Sequence, residues 1–312
     1  VYIGWSVGGM VAGLAMGSVA MVPISYRVLG IRPAWPSWRV IRSLWRYARW
    51  SMPKAAVGAA ISRMDVLILS AILTTGAAGQ YRVAMNILVP ATFVSGVIGS
   101  GVFVDTSGTI SRNEDPRERI ELGIGFGSIL AIPVFFGAVA MPVDIVTTIY
   151  GSQYQEAGTV LVILAAYKLL ETQTDQLLGT ISGFDRPDLR FYLSVGVLVM
   201  NVGLGIPLAY RMGLMGVVIA TLITAIAQWM VALYLSQKLI SFRIIPRPIL
   251  EQSFAGILMF SVVLSAHRVY GVSWWGDLVA LVTLGAVVYG LILLSISPIL
   301  RASLRSFISE IS

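Results

Sequence analysis

The chain has no cysteine and little charge. Of its 312 residues, 12% are charged and 57% are hydrophobic, and the mean hydropathy is +0.83. A soluble domain carries about 25% charged residues, so the polar residues here are too few to cover a water-facing surface. The lack of cysteine excludes disulfides, thiolate metal sites and a cysteine nucleophile. The single histidine, His267, excludes a multi-histidine metal site and disfavours a Ser–His–Asp triad, so we expect neither a metal nor a cofactor.

Apolar runs recur along the whole chain. A membrane-spanning helix needs about 20 mostly apolar residues, and we predict an all-α, polytopic transmembrane bundle of about nine spans. The predicted spans are 2–24, 52–73, 78–104, 122–141, 159–181, 191–210, 214–235, 254–266 and 278–296. The first run starts at Val1 without a basic region or cleavage site, so it does not resemble a signal peptide. We expect that upstream helices are missing.

The positions of the basic residues predict on which side of the membrane each loop lies. If the loop after the first span is cytoplasmic, sixteen Lys and Arg residues fall in inner segments and only Arg211 and Arg268 in outer ones. Short cytoplasmic loops are enriched in Lys and Arg. We therefore predict an external N-terminus and a cytoplasmic C-terminus, and we assign the net charge of +7 to the membrane topology and not to nucleic-acid binding.

The segment Trp38–Trp50 combines arginine and tryptophan at helical spacing. Its arginines share one stripe of a helix, beside a stripe of apolar residues; they are Arg39, Arg42, Arg46 and Arg49. One interpretation is an interfacial helix that binds anionic lipid headgroups. The other is that these arginines are simply the positive flank of a cytoplasmic loop.

Three prolines, Pro90, Pro133 and Pro207, lie inside predicted spans. Each removes a backbone hydrogen bond, which a membrane helix tolerates only where a neighbour satisfies the freed carbonyl. Such kinks suit a transporter that alternates between two states, and they also occur as static packing features.

Seven ionisable residues lie within or at the edges of predicted spans. They are Lys54, Arg63, Asp65, Arg82, Lys168, Glu171 and Asp175. A charge in mid-membrane costs roughly 2.5–3.5 kcal/mol, so it usually faces a wet cavity or another charge. Lys54 lies at a helix end, and Arg82 is near enough to one to reach the interface.

Three of these charges share one helical face, because Lys168, Glu171 and Asp175 are spaced three and then four residues apart. We predict a hydrated cationic cavity in which Arg63 and Lys168 bind a headgroup phosphate. Asp65, Glu171 and Asp175 would balance that charge or bind a coupling cation. The alternative is an interhelical salt-bridge cluster that fixes the packing.

Four segments carry a family resemblance. They are SRMDVLILSAIL with Asp65; GQYRVAMNIL with Gly79, Tyr81 and Ala84; IYGSQYQEAGTVLVIL with Tyr150, Gly151, Tyr154 and Ala157; and NVGLGIPLAYRMGLMGVVIATLI with Asn201, Pro207, Gly213, Gly216, Ala220 and Thr221. In order and spacing they resemble the polysaccharide and O-antigen flippases of the multidrug, oligosaccharidyl-lipid and polysaccharide exporter superfamily.

The resemblance covers essentially the whole chain and implies a domain organisation. Residues 1–24 would be the last helix of a truncated first lobe, and 25–51 a cytoplasmic amphipathic linker. Residues 52–238 would form the second lobe of six helices, followed by two accessory helices and a cytoplasmic tail in 251–312.

The resemblance also implies a function without covalent chemistry. The expected activity is alternating-access translocation of a lipid diphosphate-linked oligosaccharide across the cytoplasmic membrane. The expected partners are that substrate, membrane lipids and other polysaccharide-assembly membrane proteins. A multidrug/cation antiporter of the same superfamily is the alternative. A membrane glycosyltransferase or ligase is disfavoured, because the predicted external loops are short and hold few acids.

Overall fold

The structure is a computed structural model that describes residues 63–301 except 113 and 185, together with 13, 16–19, 21, 37–39, 41, 42, 45 and 58. The chain divides into two compact units, Val1–Pro53 and Lys54–Ser312. In the described part of the second unit there are helices and turns but no strand, in agreement with the all-α prediction.

Ten helices follow one another through the described residues of the second unit, before a short helical stretch at 298–301. They are α1 (the described part, 63–72), α2 (Thr75–Ile87), α3 (Val89–Ser111), α4 (Arg117–Gly127), α5 (Ala131–Ala140), α6 (Pro142–Tyr150), α7 (Ala157–Gly183), α8 (Pro187–Leu239), α9 (Arg247–Tyr270) and α10 (Trp275–Ile296). A single turn of 3₁₀ helix, Ser152–Tyr154, lies between α6 and α7.

Two of the predicted spans are interrupted. The run predicted as 78–104 consists of α2 and α3, which meet at an angle of 53°. Pro90 is the second residue of α3, where a proline can begin a helix but cannot continue the preceding one. The run predicted as 122–141 begins earlier, at Arg117, and is broken between α4 and α5 at residues 128–130.

Helix α8 is a hairpin of two arms. A continuous helix of its 53 residues would be about 80 Å long, far longer than a bilayer core of about 30 Å. The backbone leaves the helical conformation at Gly213, where φ is 61° and ψ is −138°. Residues 189–200 and 224–235 then line a common cavity. The arms therefore run side by side, as the predicted spans 191–210 and 214–235 require.

Helix α7 is the centre of the second unit and contacts α2, α3, α4, α5, α6 and α8. Its 27 residues would extend about 40 Å, enough to cross a bilayer. Helices α9 and α10 pack on each other and on α5, in an apolar cluster that includes Ile132, Met259 and Leu281.

Among the described residues, four helical segments are long and apolar enough to cross a membrane, with α4–α5 and α8 each counted once: Arg117–Ala140, Asp188–Leu239, Arg247–Tyr270 and Trp275–Ile296. The bent α2–α3 pair would be a fifth if it is one span. Helix α9 corrects one prediction, because it runs for 24 residues where the sequence suggested the short span 254–266. The count of nine spans stays a prediction.

In the first unit, few residues are described. Residues 38, 39, 41, 42 and 45 are helical, and Arg39 and Arg42 are exposed. The backbone N–H of Ile41 donates to the carbonyl of Ser37 at 3.0 Å. The other two arginines of the predicted interfacial stripe, Arg46 and Arg49, lie outside the described residues, as does most of the predicted first span.

Candidate functional site: a cationic cavity in the second unit

A cavity of about 660 Å³ lies among α1, α2, α3 and α7. Its lining residues are Arg63, Val66, Leu67, Tyr81, Arg82, Met85, Asn86, Val89, Thr92 and Lys168. Three of them are cations and none is an acid. Arg63 and Arg82 are exposed, whereas the Lys168 side chain retains 13% of its exposure. The cavity therefore presents positive charge to whatever enters it.

Lys168 is paired as well as exposed to the cavity. Its Nζ lies 2.6 Å from Glu171 Oε2, one turn further along α7. The other carboxylate oxygen, Oε1, accepts a hydrogen bond from the Tyr167 hydroxyl at 2.8 Å. Lys168 thus lines a cavity and also belongs to a salt bridge within α7, whereas the predicted alternative was a salt bridge between helices.

A second polar group surrounds Asp65 on α1. The Tyr81 hydroxyl donates to Asp65 Oδ2, and the side chains of Asn201 and Thr221, from the two arms of α8, lie close to the same carboxylate. Two buried acceptors, Asp65 Oδ1 and Asn201 Oδ1, make no hydrogen bond within the described part of the chain. Buried polar atoms are normally bonded, so this group has spare capacity to bind a donor or a cation.

Asp175 lies apart from the cavity lining. Its Oδ2 accepts a long hydrogen bond of 3.4 Å from Ser95 Oγ on α3, and the charges of Glu171, Arg190 and Lys168 are close enough to act on it. It shares a helical face with Lys168 and Glu171, as the spacing predicts. Lys168 and Glu171 bond to each other within α7, whereas Asp175 bonds to α3.

The structure brings Arg63 and Lys168 to one cavity and separates Asp65, Glu171 and Asp175 into three environments. The sequence analysis did not assign two of the lining residues, Arg82 and Asn86, to the site. Arg82 is one turn before Asn86 on α2, and the i, i+4 spacing of two polar residues in an apolar run was the available signal.

Contacts across the bundle join residues that the sequence assigned to the same side of the membrane. On the predicted outer side, Gln80 donates to Glu156 at 3.0 Å, and His267 Nε2 lies 2.9 Å from Asp144 Oδ2. On the predicted inner side, the backbone N–H of Arg243 donates to Glu121 at 2.8 Å.

The chain is similar in sequence to two probable flippases of one organism. It is 26% identical over 275 residues to the probable low-salt glycan biosynthesis flippase Agl15 of Haloferax volcanii, covering 88% of this chain and 58% of that protein. It is 27% identical over 320 residues to the probable flippase AglR of the same organism, covering 99% of this chain and 66% of that protein.

A bacterial relative and a solved structure extend the comparison. The teichuronic acid biosynthesis protein TuaB of Bacillus subtilis is 22% identical over 238 residues, covering 74% of this chain and 49% of that protein. The fold matches the lipid II flippase MurJ in its inward closed conformation with a TM-score of 0.64 and 15% sequence identity, over 82% of this chain and 55% of MurJ. The chain thus spans about half to two thirds of the length of these proteins.

The family model described as polysaccharide biosynthesis protein matches residues 1–159, just over half of the chain. Its match begins in the first unit and continues through α1 to α6 into the start of α7. The chain belongs to the polysaccharide biosynthesis protein family.

Proposed function

We propose that this chain is the second lobe of a flippase that moves a lipid diphosphate-linked oligosaccharide across the membrane by alternating access. The observation that carries the proposal is the cavity lined by Arg63, Arg82 and Lys168 without an acidic lining residue. The names of the relatives, glycan biosynthesis flippase among them, support the same class of cargo. No covalent step is needed, so the protein is not an enzyme in this proposal.

The cavity would recognise the charged end of the cargo. Arginine offers a planar fork of donors that matches two phosphate oxygens, and lysine offers a point charge. The three cations stand among apolar side chains such as Val66, Leu67 and Val89, where charge interactions are stronger than in water. A diphosphate would bind there, while its lipid tail stays in the bilayer.

Asp65 would bind the coupling cation. Asp65 and Asn201 each contribute a buried oxygen that has no hydrogen-bond donor within the described residues, and oxygen ligands suit a hard cation. Tyr81 connects this group to the headgroup cavity, since it lines the cavity and donates to Asp65. Glu171 and Asp175 would instead balance the charge of the cavity cations.

The proposed location is the cytoplasmic membrane, with the N-terminus of this chain outside and the C-terminus inside. The support is the distribution of basic residues along the sequence. Arg39, Arg42, Arg46 and Arg49 would then face anionic lipid headgroups on the cytoplasmic side. Other polysaccharide-assembly membrane proteins are the further partners we propose.

A cation antiporter is the second candidate, and the orphaned oxygens around Asp65 favour it. The lining of the cavity argues against it, because three positive side chains would repel an organic cation. The two candidates differ in cargo: the flippase moves a lipid diphosphate, and the antiporter moves a cationic dye.

The test uses the full-length protein that contains this chain, reconstituted into vesicles with a fluorescent polyprenyl diphosphate-linked oligosaccharide. The measurement is the fraction of label that becomes accessible to an impermeant quencher with time. A charge-assisted hydrogen bond contributes about 1.5–3 kcal/mol, so we expect Arg63→Met and Lys168→Met to weaken cargo binding roughly 10- to 100-fold.

Arg211→Met is the matched control, because Arg211 is exposed and does not line the cavity. Unchanged transport in Arg63→Met, Arg82→Met and Lys168→Met together would reject the cavity as the headgroup site. Uptake of a cationic dye, without movement of the lipid diphosphate, would support the antiporter.

A further inference from the structure

The break between α4 and α5 leaves three backbone carbonyls without their ordinary helical donors. Ile129 N–H bonds to Phe126 O at 3.1 Å and so does not reach Gly125 O. Ser128 N–H also points to Phe126 O and leaves Ile124 O. Pro133 has no N–H, so Ile129 O lacks a donor from four residues ahead.

Each of these carbonyls accepts a side-chain hydrogen bond from a different helix. Gln173 on α7 donates to Ile124 O at 3.3 Å, and Gln252 on α9 donates to Gly125 O at 2.9 Å. The Tyr289 hydroxyl on α10 donates to Ile129 O at 3.0 Å. Two of the three donors therefore come from the helices that the family resemblance predicts to be accessory.

The three carbonyls are of two kinds. If α4 and α5 joined into one continuous helix, the N–H groups of residues 128 and 129 would return to Ile124 O and Gly125 O. The two glutamines would then lose these carbonyl acceptors, although Gln173 also donates to the Ser128 hydroxyl. The carbonyl of Ile129 would still lack a backbone donor, because residue 133 is proline. Gln252 thus stabilises the broken form alone, Gln173 does so through its bond to Ile124 O, and Tyr289 serves both forms.

The surroundings favour two forms over one fixed kink. Gly123, Gly125 and Gly127 precede the break, and each glycine lowers helix stability by about 1 kcal/mol relative to alanine. The side-chain carbonyl oxygens of Gln176 and Gln252 are buried beside this segment and make no hydrogen bond within the described residues. The broken form therefore carries the cost of two buried oxygens without donors in the described part of the chain.

We infer that the α4–α5 span is a hinge whose broken form is held by the amides of Gln173 and Gln252, with Tyr289 as a permanent cap. Helix α9 packs closely against the hinge, since a Cβ on Gly125 would lie 2.9 Å from Pro248. Helix α4 is also one wall of a second cavity, of about 710 Å³, shared with α3 and Leu300. Movement at the hinge changes the shape of that cavity, whatever cargo the protein carries.

Spin labels at Glu118 and Asp188 report the hinge in the full-length protein in lipid nanodiscs. Both side chains are exposed, and this chain contributes no background cysteine; any cysteine elsewhere in the full-length protein is replaced first. Pulsed electron paramagnetic resonance gives the distribution of distances between the labels. We expect Gln252→Met and Gln173→Met to move population to a second distance.

Tyr289→Phe is the discriminating variant, because it removes a hydrogen bond that both forms need. We expect it to lower the Tm and to leave the distance distribution unchanged. A fixed kink would give the same distribution in all three variants and would overturn the inference. A shift in Tyr289→Phe equal to that in Gln252→Met would overturn it as well.

A double-mutant cycle checks the cap without depending on the labels. Pro133→Ala restores an N–H that can bond to Ile129 O, so Tyr289→Phe should then lower the Tm by less than it does in the wild type. An equal loss in both backgrounds contradicts the assigned role of Tyr289. Neither measurement uses transport, so a failure of the flippase proposal would leave these results standing.

Discussion

Lys168 has two partners at the residue scale, and the balance between them sets the charge of the cavity. Its ammonium is 2.6 Å from the Glu171 carboxylate and also lines the cationic cavity. An ion pair with little exposure repays its desolvation only with good geometry and further hydrogen bonds. Tyr167 supplies one such bond to Glu171. Lys168 is thus held in place, and the negative charge of Glu171 cancels part of its positive electrostatic potential in the cavity.

Replacement of Glu171 by glutamine should act opposite to replacement of Lys168. Glu171→Gln removes the negative charge that offsets Lys168, and Tyr167 can still donate to the amide oxygen. We expect an anionic diphosphate to bind more tightly, on the order of several-fold, since the variant removes a negative charge that repels it, and water and salt screen that repulsion. Titration of the purified full-length protein with a short-chain prenyl diphosphate measures the change.

Tyr167→Phe is the companion variant, because it disturbs the same pair without changing its charge. Weaker binding in Glu171→Gln would show that the ion pair matters for positioning Lys168 and not for cancelling its charge. Equal effects in Glu171→Gln and Tyr167→Phe would contradict the electrostatic explanation.

The sequence indicated some of these residues and could not indicate others. The spacing of Lys168, Glu171 and Asp175 specifies a common face on one helix, because helical geometry is local. The partner of Asp65 is Tyr81 on the next helix, and the rotation of one helix against another depends on packing that the sequence does not display. For the same reason Arg82 was expected at the interface, although it lines the cavity.

At the scale of elements, the turn of the α8 hairpin depends on two glycines. Gly213 has a positive φ of 61°, which residues with a Cβ rarely adopt. Gly216 lies against the returning chain, and a Cβ there would be 2.0 Å from the carbonyl oxygen of Leu208. The obstacle is backbone, which cannot rotate away as a side chain can.

Gly216→Ala should therefore separate the two arms or unfold the hairpin. We expect a loss of stability on the order of 3 kcal/mol or more, the range of severe steric substitutions. Gly203→Ala is the matched control, since it lies in the same helix with nothing within 4 Å of its added Cβ. Thermal unfolding of the full-length protein in detergent compares the two. A Tm loss in Gly216→Ala no larger than in Gly203→Ala would show that the arms do not meet as described.

The elements were more predictable than their breaks. Apolar runs and basic loops located α7, both arms of α8, and α10 to within a few residues, because hydropathy is a property of the local sequence. Hydropathy failed at the start of α9, where Glu251 and Gln252 are polar yet buried and continue the helix. Pro133 indicated a kink near the α4–α5 break. The side chains that donate hydrogen bonds to the freed carbonyls there, Gln252 and Tyr289, come from helices more than 100 residues further along the chain.

For the whole molecule, the Asp65 group joins elements that are distant in sequence. Asp65 is on α1, Tyr81 on α2, and Asn201 and Thr221 on opposite arms of the α8 hairpin. A cation bound among their oxygens would hold these elements together, and Tyr81 would transmit its presence to the cavity. Occupancy of this group would then favour one arrangement of the lobe over another, which is what coupling between an ion and a cargo requires.

A cation that binds the folded state should raise its stability by mass action, by about 2.7 kcal/mol at 100 times its dissociation constant. We expect the Tm of the full-length protein to rise as sodium chloride replaces choline chloride at constant ionic strength. Asp65→Asn should abolish the rise, because it removes the charge that binds the cation while an amide oxygen can still accept from Tyr81. Asp175→Asn should keep it, since Asp175 contacts Ser95 and is no part of this group. An equal rise in Asp65→Asn would place the cation elsewhere, and a flat response in the wild type would show that sodium does not bind this lobe.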